Sequence, residues 1–242
     1  MKKYLLFLGL LISVYSANSQ VLISIILGDK LNTGKIEFGL EGGWNWSNLR
    51  NLESANTFGN FNLGFYFDIK TKNPDWMITT GVIVKSSMGA AGLPVYLTGN
   101  PGLDSSFKGG EIERKVNYFN VPITMKYKFS NHFYANGGIM LGLRYKAYDE
   151  FLNSVKEEED LNYKLKIKDQ FHPLDAGLAL GIGYRLLGGN GMNLGLHYYL
   201  GLVDVVVNDS SPNQYNRVLY LTAGIPIGKG KAEKKAKADG EK

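Results

Sequence analysis

From Lys35 to Ile227 the chain repeats stretches of roughly ten residues in which every second residue is apolar. Phe61, Leu63, Phe65, Phe67 and Ile69 fall on one face of an extended strand, and Asn60, Asn62, Gly64, Tyr66 and Asp68 on the other. A segment of this kind asks for an apolar medium on one side only. About eight in succession, joined by polar turns, predict a closed sheet that crosses a bilayer, because closure alone satisfies every backbone N–H and C=O where water is missing. The expected fold is all-β: an eight-stranded antiparallel transmembrane β-barrel with short periplasmic turns and long extracellular loops.

The expected strands are residues 35–46, 60–70, 76–87, 115–129, 132–148, 175–186, 192–203 and 215–227. Their connections alternate in length. Residues 71–75 (with Asn73-Pro74), 130–131 and 187–191 are tight turns, whereas residues 47–59, 88–114, 150–174 and 204–213 are long. In barrels that cross an outer membrane the short turns face the periplasm, and an even strand count returns both termini there. The expected location is therefore the outer membrane, with both termini periplasmic.

The flanks fit that route. Met1-Lys2-Lys3, the apolar residues 4–15 and the small-x-small Ala17-Asn18-Ser19 make residues 1–19 a signal peptide and Gln20 the first mature residue. An uncleaved anchor is the alternative, since residues 21–27 are apolar again. Residues 20–34 form a periplasmic lead-in segment, residues 35–228 the barrel and residues 229–242 a basic periplasmic tail. Of the formal net charge of +5, two come from Lys2 and Lys3 and three from the tail, so the body between them is neutral and offers no basic patch for nucleic acid. With no cysteine, disulfides and a lipoprotein acyl anchor are excluded.

Alternation assigns the faces. Phe65, Ile123, Leu180 and Leu196 face lipid, as do the other apolar positions in phase with them. Glu41, Lys85, Lys126, Arg144, Arg185 and His197 form a polar network inside, together with Glu37, Asp68, Lys146 and Tyr66, Tyr118, Tyr134 and Tyr199. A barrel of eight strands is only wide enough for side chains to fill, so these charges pair or find water. The expectation is a packed plug of ion pairs, and the alternative is a narrow ion or proton path.

Little else suggests chemistry. His132, His172 and His197 fall at different levels of such a barrel, so no metal site and no cofactor are expected. A hydrolase at the extracellular rim could be drawn from His172 with Asp169, Asp204 or Ser210, but loops supply such trios by chance. Glu157-Glu158-Glu159-Asp160 reads as a solvated loop tip, or alternatively as a calcium or lipopolysaccharide-cation bridge. Just beyond it Leu161, Tyr163, Leu165 and Ile167 alternate with polar residues, which extends the sixth strand above the membrane. Residues 93–97 could pair there to give a projecting sheet on which an envelope protein partner docks.

Tyr118-Phe119-Asn120-Val121-Pro122-Ile123-Thr124-Met125-Lys126-Tyr127 resembles a strand motif of the PorT-like outer-membrane β-barrels of gram-negative bacteria. Gly42-Gly43-Trp44-Asn45-Trp46-Ser47-Asn48 is similar to the opening strand of that family. The resemblance covers most of residues 35–227. It implies an eight-stranded outer-membrane barrel and, for a few members, a part in protein secretion; it implies no activity. One departure concerns assembly: the last strand ends on Ile225-Pro226-Ile227 rather than on an aromatic residue at the end of the chain, so the assembly signal is expected inside it.

Three classes of function follow. The first is a non-enzymatic outer-membrane barrel acting as scaffold, secretion-associated component or surface-binding protein, in contact with outer-membrane lipid and lipopolysaccharide. The second is a narrow porin-like channel. A soluble barrel holding an apolar ligand is the third, and it fails because such a barrel keeps its apolar face inside. Oligomeric state leaves no mark in the sequence.

Overall fold

The computed structural model describes residues 33, 35–156, 159–189, 191–208 and 212–227. The expectations for the signal peptide, for the lead-in up to residue 32, for the carboxylates of residues 157–160 and for the basic tail lie outside these residues or their described side chains. The strands are β1 (Ile36–Arg50), β2 (Phe58–Lys70), β3 (Trp76–Pro94), β4 (Glu111–Lys128), β5 (Phe133–Lys156), β6 (Glu159–Lys166), β7 (Leu174–Arg185), β8 (Asn193–Gly201) and β9 (Tyr215–Pro226). All but β6 close one antiparallel ring of eight. The ring closes where β1 pairs β9, from Gly39 opposite Pro226 to Arg50 opposite Tyr215.

The strands differ from the expected ones mainly where they run on. At 24 residues, β5 is paired by β7 from Phe133 to Leu143 and by β6 from Tyr148 upward. The expected continuous sixth strand is thus two strands. Pro173, which has no N–H to give to a ladder, lies in the break, as does a 3-10 turn at Lys168–Gln170. The expected loop of residues 88–114 shrinks in the same way, because β3 continues to Pro94 opposite Glu111 at the start of β4. Its alternation is hidden by Met88-Gly89-Ala90-Ala91-Gly92, where Gly92 takes a φ of 67° that favours glycine. Across the rest of this connection runs a short helix, Pro101–Ser106, capped by the Asn100 side chain. Strands β3, β4, β5 and β6 therefore rise past the ring as a four-stranded sheet at the end with the long loops.

Aromatic residues ring the outer wall at two heights. Near the short turns Trp76 packs on Tyr127 (4.9 Å between centroids), Tyr127 on Phe129 (5.0 Å) and Phe133 on Tyr184 (4.9 Å). Toward the loops Phe119 stacks on Tyr145 at 4.5 Å. From Tyr127 to Phe119 on β4 is eight residues, about 27 Å along a strand and less along a tilted barrel axis. Between the rings the exposed residues are apolar, among them Ile123, Met125, Ile139, Leu178 and Leu221.

Candidate functional site

The interior is built in three levels. At the end with the short turns, Arg185 on β7 reaches round the ring to Glu37 on β1, its Nη2 lying 2.7 Å from each carboxylate oxygen. Tyr66 donates to the same carboxylate and accepts from Asn193. Lys126 on β4 meets both oxygens of Asp68 on β2 at 2.9 and 2.7 Å, and Thr79 on the strand between donates to Asp68 at 2.5 Å. The Lys126 ammonium also lies 4.8 Å from the centre of the Tyr134 ring. Asp68 is 1% exposed and Lys126 5%. Ions this far from water hold only when paired and hydrogen-bonded, so these four side chains lock the strands they join. A cavity of about 310 Å³ opens beneath them among Asp75, Lys128, His132 and the network itself.

At mid-height Glu41 is hydrogen-bonded to Thr222. His197 lies where Gly181 and Gly195 leave space: a Cβ on either glycine would come within 2.3 Å of an imidazole nitrogen. The buried His197 Nε2 has no hydrogen-bond partner among the described residues. Glu41, Thr124, Lys126, Tyr134, His197 and Thr222 surround a cavity of about 70 Å³, room for a few waters to serve such atoms.

Above this an apolar cluster takes up much of the lumen, with a buried polar group set into it: Asn216 donates to Asp175 at 2.8 Å and to the Tyr118 hydroxyl. Leu49, Met88, Ile112, Val116, Val205 and Val218 are buried together with Tyr118, Tyr199 and Tyr220 in one cluster that fills the loop end of the ring. The sequence predicts a plug of ion pairs; the pairs Glu37–Arg185 and Asp68–Lys126 stand in the lower half, and the upper half is filled by this cluster with Asn45, Ser86, Asp175 and Asn216 among it. Signal for the rest was present in the inward phase of β4, where Ile112, Val116 and Tyr118 alternate.

The structure brings Glu41, Lys126, Arg185 and His197 into the lumen, with Glu37 and Asp68. Arg144 lies apart from them at the loop end, where its Nη1 donates to the Lys168 carbonyl. Lys85 and Lys146 are corrections: both are exposed on the outer wall. A bulge in β3 sets two residues between Ile83 and Ser86 against one on β4, and a bulge at Tyr145 does the same in β5. Each adds one residue to a period of two and so turns the following side chains over. Ile123, Leu180 and Leu196 are exposed on the outer face, and Phe65 is half-buried there against Phe38 and Phe67.

The rim shows no hydrolase arrangement among the described residues. Asp204 Oδ1 accepts the backbone amides of Val206 (3.1 Å) and Gln214 (2.9 Å), which holds its loop, and Ser210 is outside the described residues. No group of three or more metal-ligating side chains converges among the described residues.

Sequence reading passed over the ionic clasp of the projecting sheet. Arg114 donates to both oxygens of Asp149 at 2.8 and 2.7 Å, and Tyr96 donates to Asp149 at 3.0 Å. Glu150 takes Lys115 at 2.5 Å, Lys164 at 3.2 Å and the Asn162 amide. Burial alone would raise the Glu150 carboxyl, but hydrogen bonds from Lys115, Asn162 and Lys164 outweigh it and hold it down at about 2. A carboxyl depressed in the folded state stabilises above its ordinary value, 4.5, and loses that contribution as pH falls through about 2. Pepsin cleavage of the projecting sheet is expected to rise several-fold over that window while the barrel stays folded. In Glu150→Gln the rise is expected to flatten; an unchanged profile would contradict the assignment.

Residues 18–207 match the family described as outer membrane protein beta-barrel domain. Among curated proteins none matches the chain in sequence. Solved structures similar in fold include Ail, the attachment invasion locus protein of Yersinia pestis, with a TM-score of 0.41 at 12% identity over 80% of this chain and 99% of that one. Neisserial surface protein A gives 0.40 at 11% over 79% and 96%, and the outer membrane protein OprG from Pseudomonas aeruginosa 0.32 at 11% over 81% and 95%.

Proposed function

This chain belongs to the outer membrane protein beta-barrel domain family, and we propose that it is a non-enzymatic scaffold or surface-binding protein whose working part is the sheet raised by β3, β4, β5 and β6. The observation that carries this reading is a lumen filled at two heights, by the ion pairs of Glu37, Asp68, Lys126 and Arg185 below and by the apolar cluster above. A barrel filled in this way works through its surfaces. The short turns face the periplasm with both barrel ends, and the long loops face outward, in the sense that loop length sets for outer-membrane barrels. Phe65, Ile123, Leu180 and Leu196 then meet lipid.

The partner is a protein of the envelope. The connection after β3 offers it Leu97, 82% exposed, and the sheet offers Leu161 on β6, whose outer edge has no further strand paired to it among the described residues. Exposed apolar residues beside an open edge suit strand addition. A part in secretion, as the PorT-like resemblance implies, is one setting for such a contact. A tagged chain solubilised from its own envelope is expected to carry a co-purifying protein. Leu97→Asp with Leu161→Asp should lose that protein at unchanged barrel assembly; retention would contradict the reading.

A further inference from the structure

Two exposed lysines stand on the outer wall near the loops, and a bulge puts each of them there. The Lys85 ammonium lies 5.6 Å from the Phe61 ring centre and that of Lys146 lies 4.7 Å from the Tyr148 ring centre. Neither forms an ion pair among the described residues. They are neighbours on one face. Ser87, Asn117 and Lys146 stand in one register row across β3, β4 and β5, and Lys85 is two residues from Ser87 along β3. With strands about 4.8 Å apart and about 3.4 Å per residue, the two Cα atoms are roughly 12 Å apart. Two extended lysine side chains close that gap onto a shared anion. The surface between them is polar, because Ser87 Oγ donates to Asn117 Oδ1 at 3.0 Å.

Height decides what the anion is. Lys85 is level with Phe119, and Lys146 lies just beyond the Phe119–Tyr145 pair that marks the loop-end aromatic ring. Such rings sit at the headgroup level of a bilayer, where the lipid phosphates are. An ammonium there, with hydrocarbon on one side and no carboxylate beside it, is matched by a phosphate oxygen. We propose that Lys85 and Lys146 clamp the phosphate groups of a phosphorylated glycolipid in the leaflet at the loop end, with Phe61 and Tyr148 lining the flanks. The clamp rests on the outward placement of the loops proposed above.

The test is binding of diphosphorylated lipid A, dephosphorylated lipid A and inorganic pyrophosphate to the full-length chain folded in detergent. Diphosphorylated lipid A is expected to bind, and the dephosphorylated form at least about tenfold more weakly. Lys85→Gln with Lys146→Gln should weaken binding of the phosphorylated lipid about tenfold or more, while Lys85→Arg with Lys146→Arg keeps it. Lys128→Gln, at the opposite end, should leave it unchanged. Equal binding by the glutamine double variant, or equal binding of both lipids, overturns the clamp. Lysine-dependent binding of pyrophosphate as tight as that of lipid A overturns the lipid assignment in favour of a free anion. Electrophoretic mobility before and after boiling, read on the same samples, separates a failed barrel from a failed clamp. A wild-type chain without the heat-dependent shift overturns the barrel reading itself, whereas a shifting chain with lysine-independent lipid binding overturns only the clamp.

Discussion

Asp68→Ala is expected to destabilise the folded barrel by about 3–5 kcal/mol, the cost of leaving a buried charge without its partner. Lys126 would keep its ammonium in the lumen with the Tyr134 ring beside it and no carboxylate in place of Asp68. Thr79 would lose its acceptor as well. The readout is the urea midpoint of the barrel refolded in lipid, for which closure supplies a cooperative transition. Replacing both partners by apolar residues, Asp68→Leu with Lys126→Met, should recover much of the loss, because no charge then remains to be solvated. A single Asp68→Ala effect within about 0.5 kcal/mol of the wild type would mean that water from the cavity below already reaches Lys126, and the ion pair would not be a lock.

Leu180→Arg carries the second large effect, about 2–4 kcal/mol for an arginine near the middle of a lipid-facing wall. Leu180 is 57% exposed in the apolar band and pairs Gly137 and Tyr198 on its neighbours. Leu187, 83% exposed in the turn after β7, is the control. Leu187→Arg is expected to stay within about 0.5 kcal/mol, since that side chain reaches water at the turn end. The comparison is made on assembled protein per cell and on unfolding in lipid. Equal effects of the two substitutions would show that the exposed face of β7 does not meet hydrocarbon.

Much of the ring is legible residue by residue. In β2, β7 and β8 the period of two runs without a break, and Tyr66, Asp68, Leu180 and Leu196 point where the alternation puts them. It fails where the backbone inserts a residue. Lys85 and Lys146 keep their sequence spacing but change faces at bulges, and no single side chain announces a bulge. Pairing is harder still: Glu37 and Arg185 stand 148 positions apart, and their contact depends on the stagger of strands round the ring, which alternation does not encode. The apolar cluster at the loop end was missed for a different reason. A lipid-facing wall predicts a polar inside, but where β3, β4 and β5 leave the aromatic ring they are packed as in a water-soluble protein, and Leu49, Met88, Ile112 and Val116 form an ordinary core. The same extension hid the clasp of Arg114 with Asp149, because Arg114 falls in residues 88–114, which read as loop, and Asp149 just past the end of the expected strand 132–148.

A barrel filled at both heights leaves no open path for ions through its lumen. Conductance of the purified, folded chain in planar bilayers tests it most directly. With Glu37–Arg185 and Asp68–Lys126 across the lower lumen and the apolar cluster across the upper, no steady current is expected at physiological salt. Stable single-channel currents that survive purification, and that change in size when Leu49 or Val218 is replaced by alanine, would contradict it.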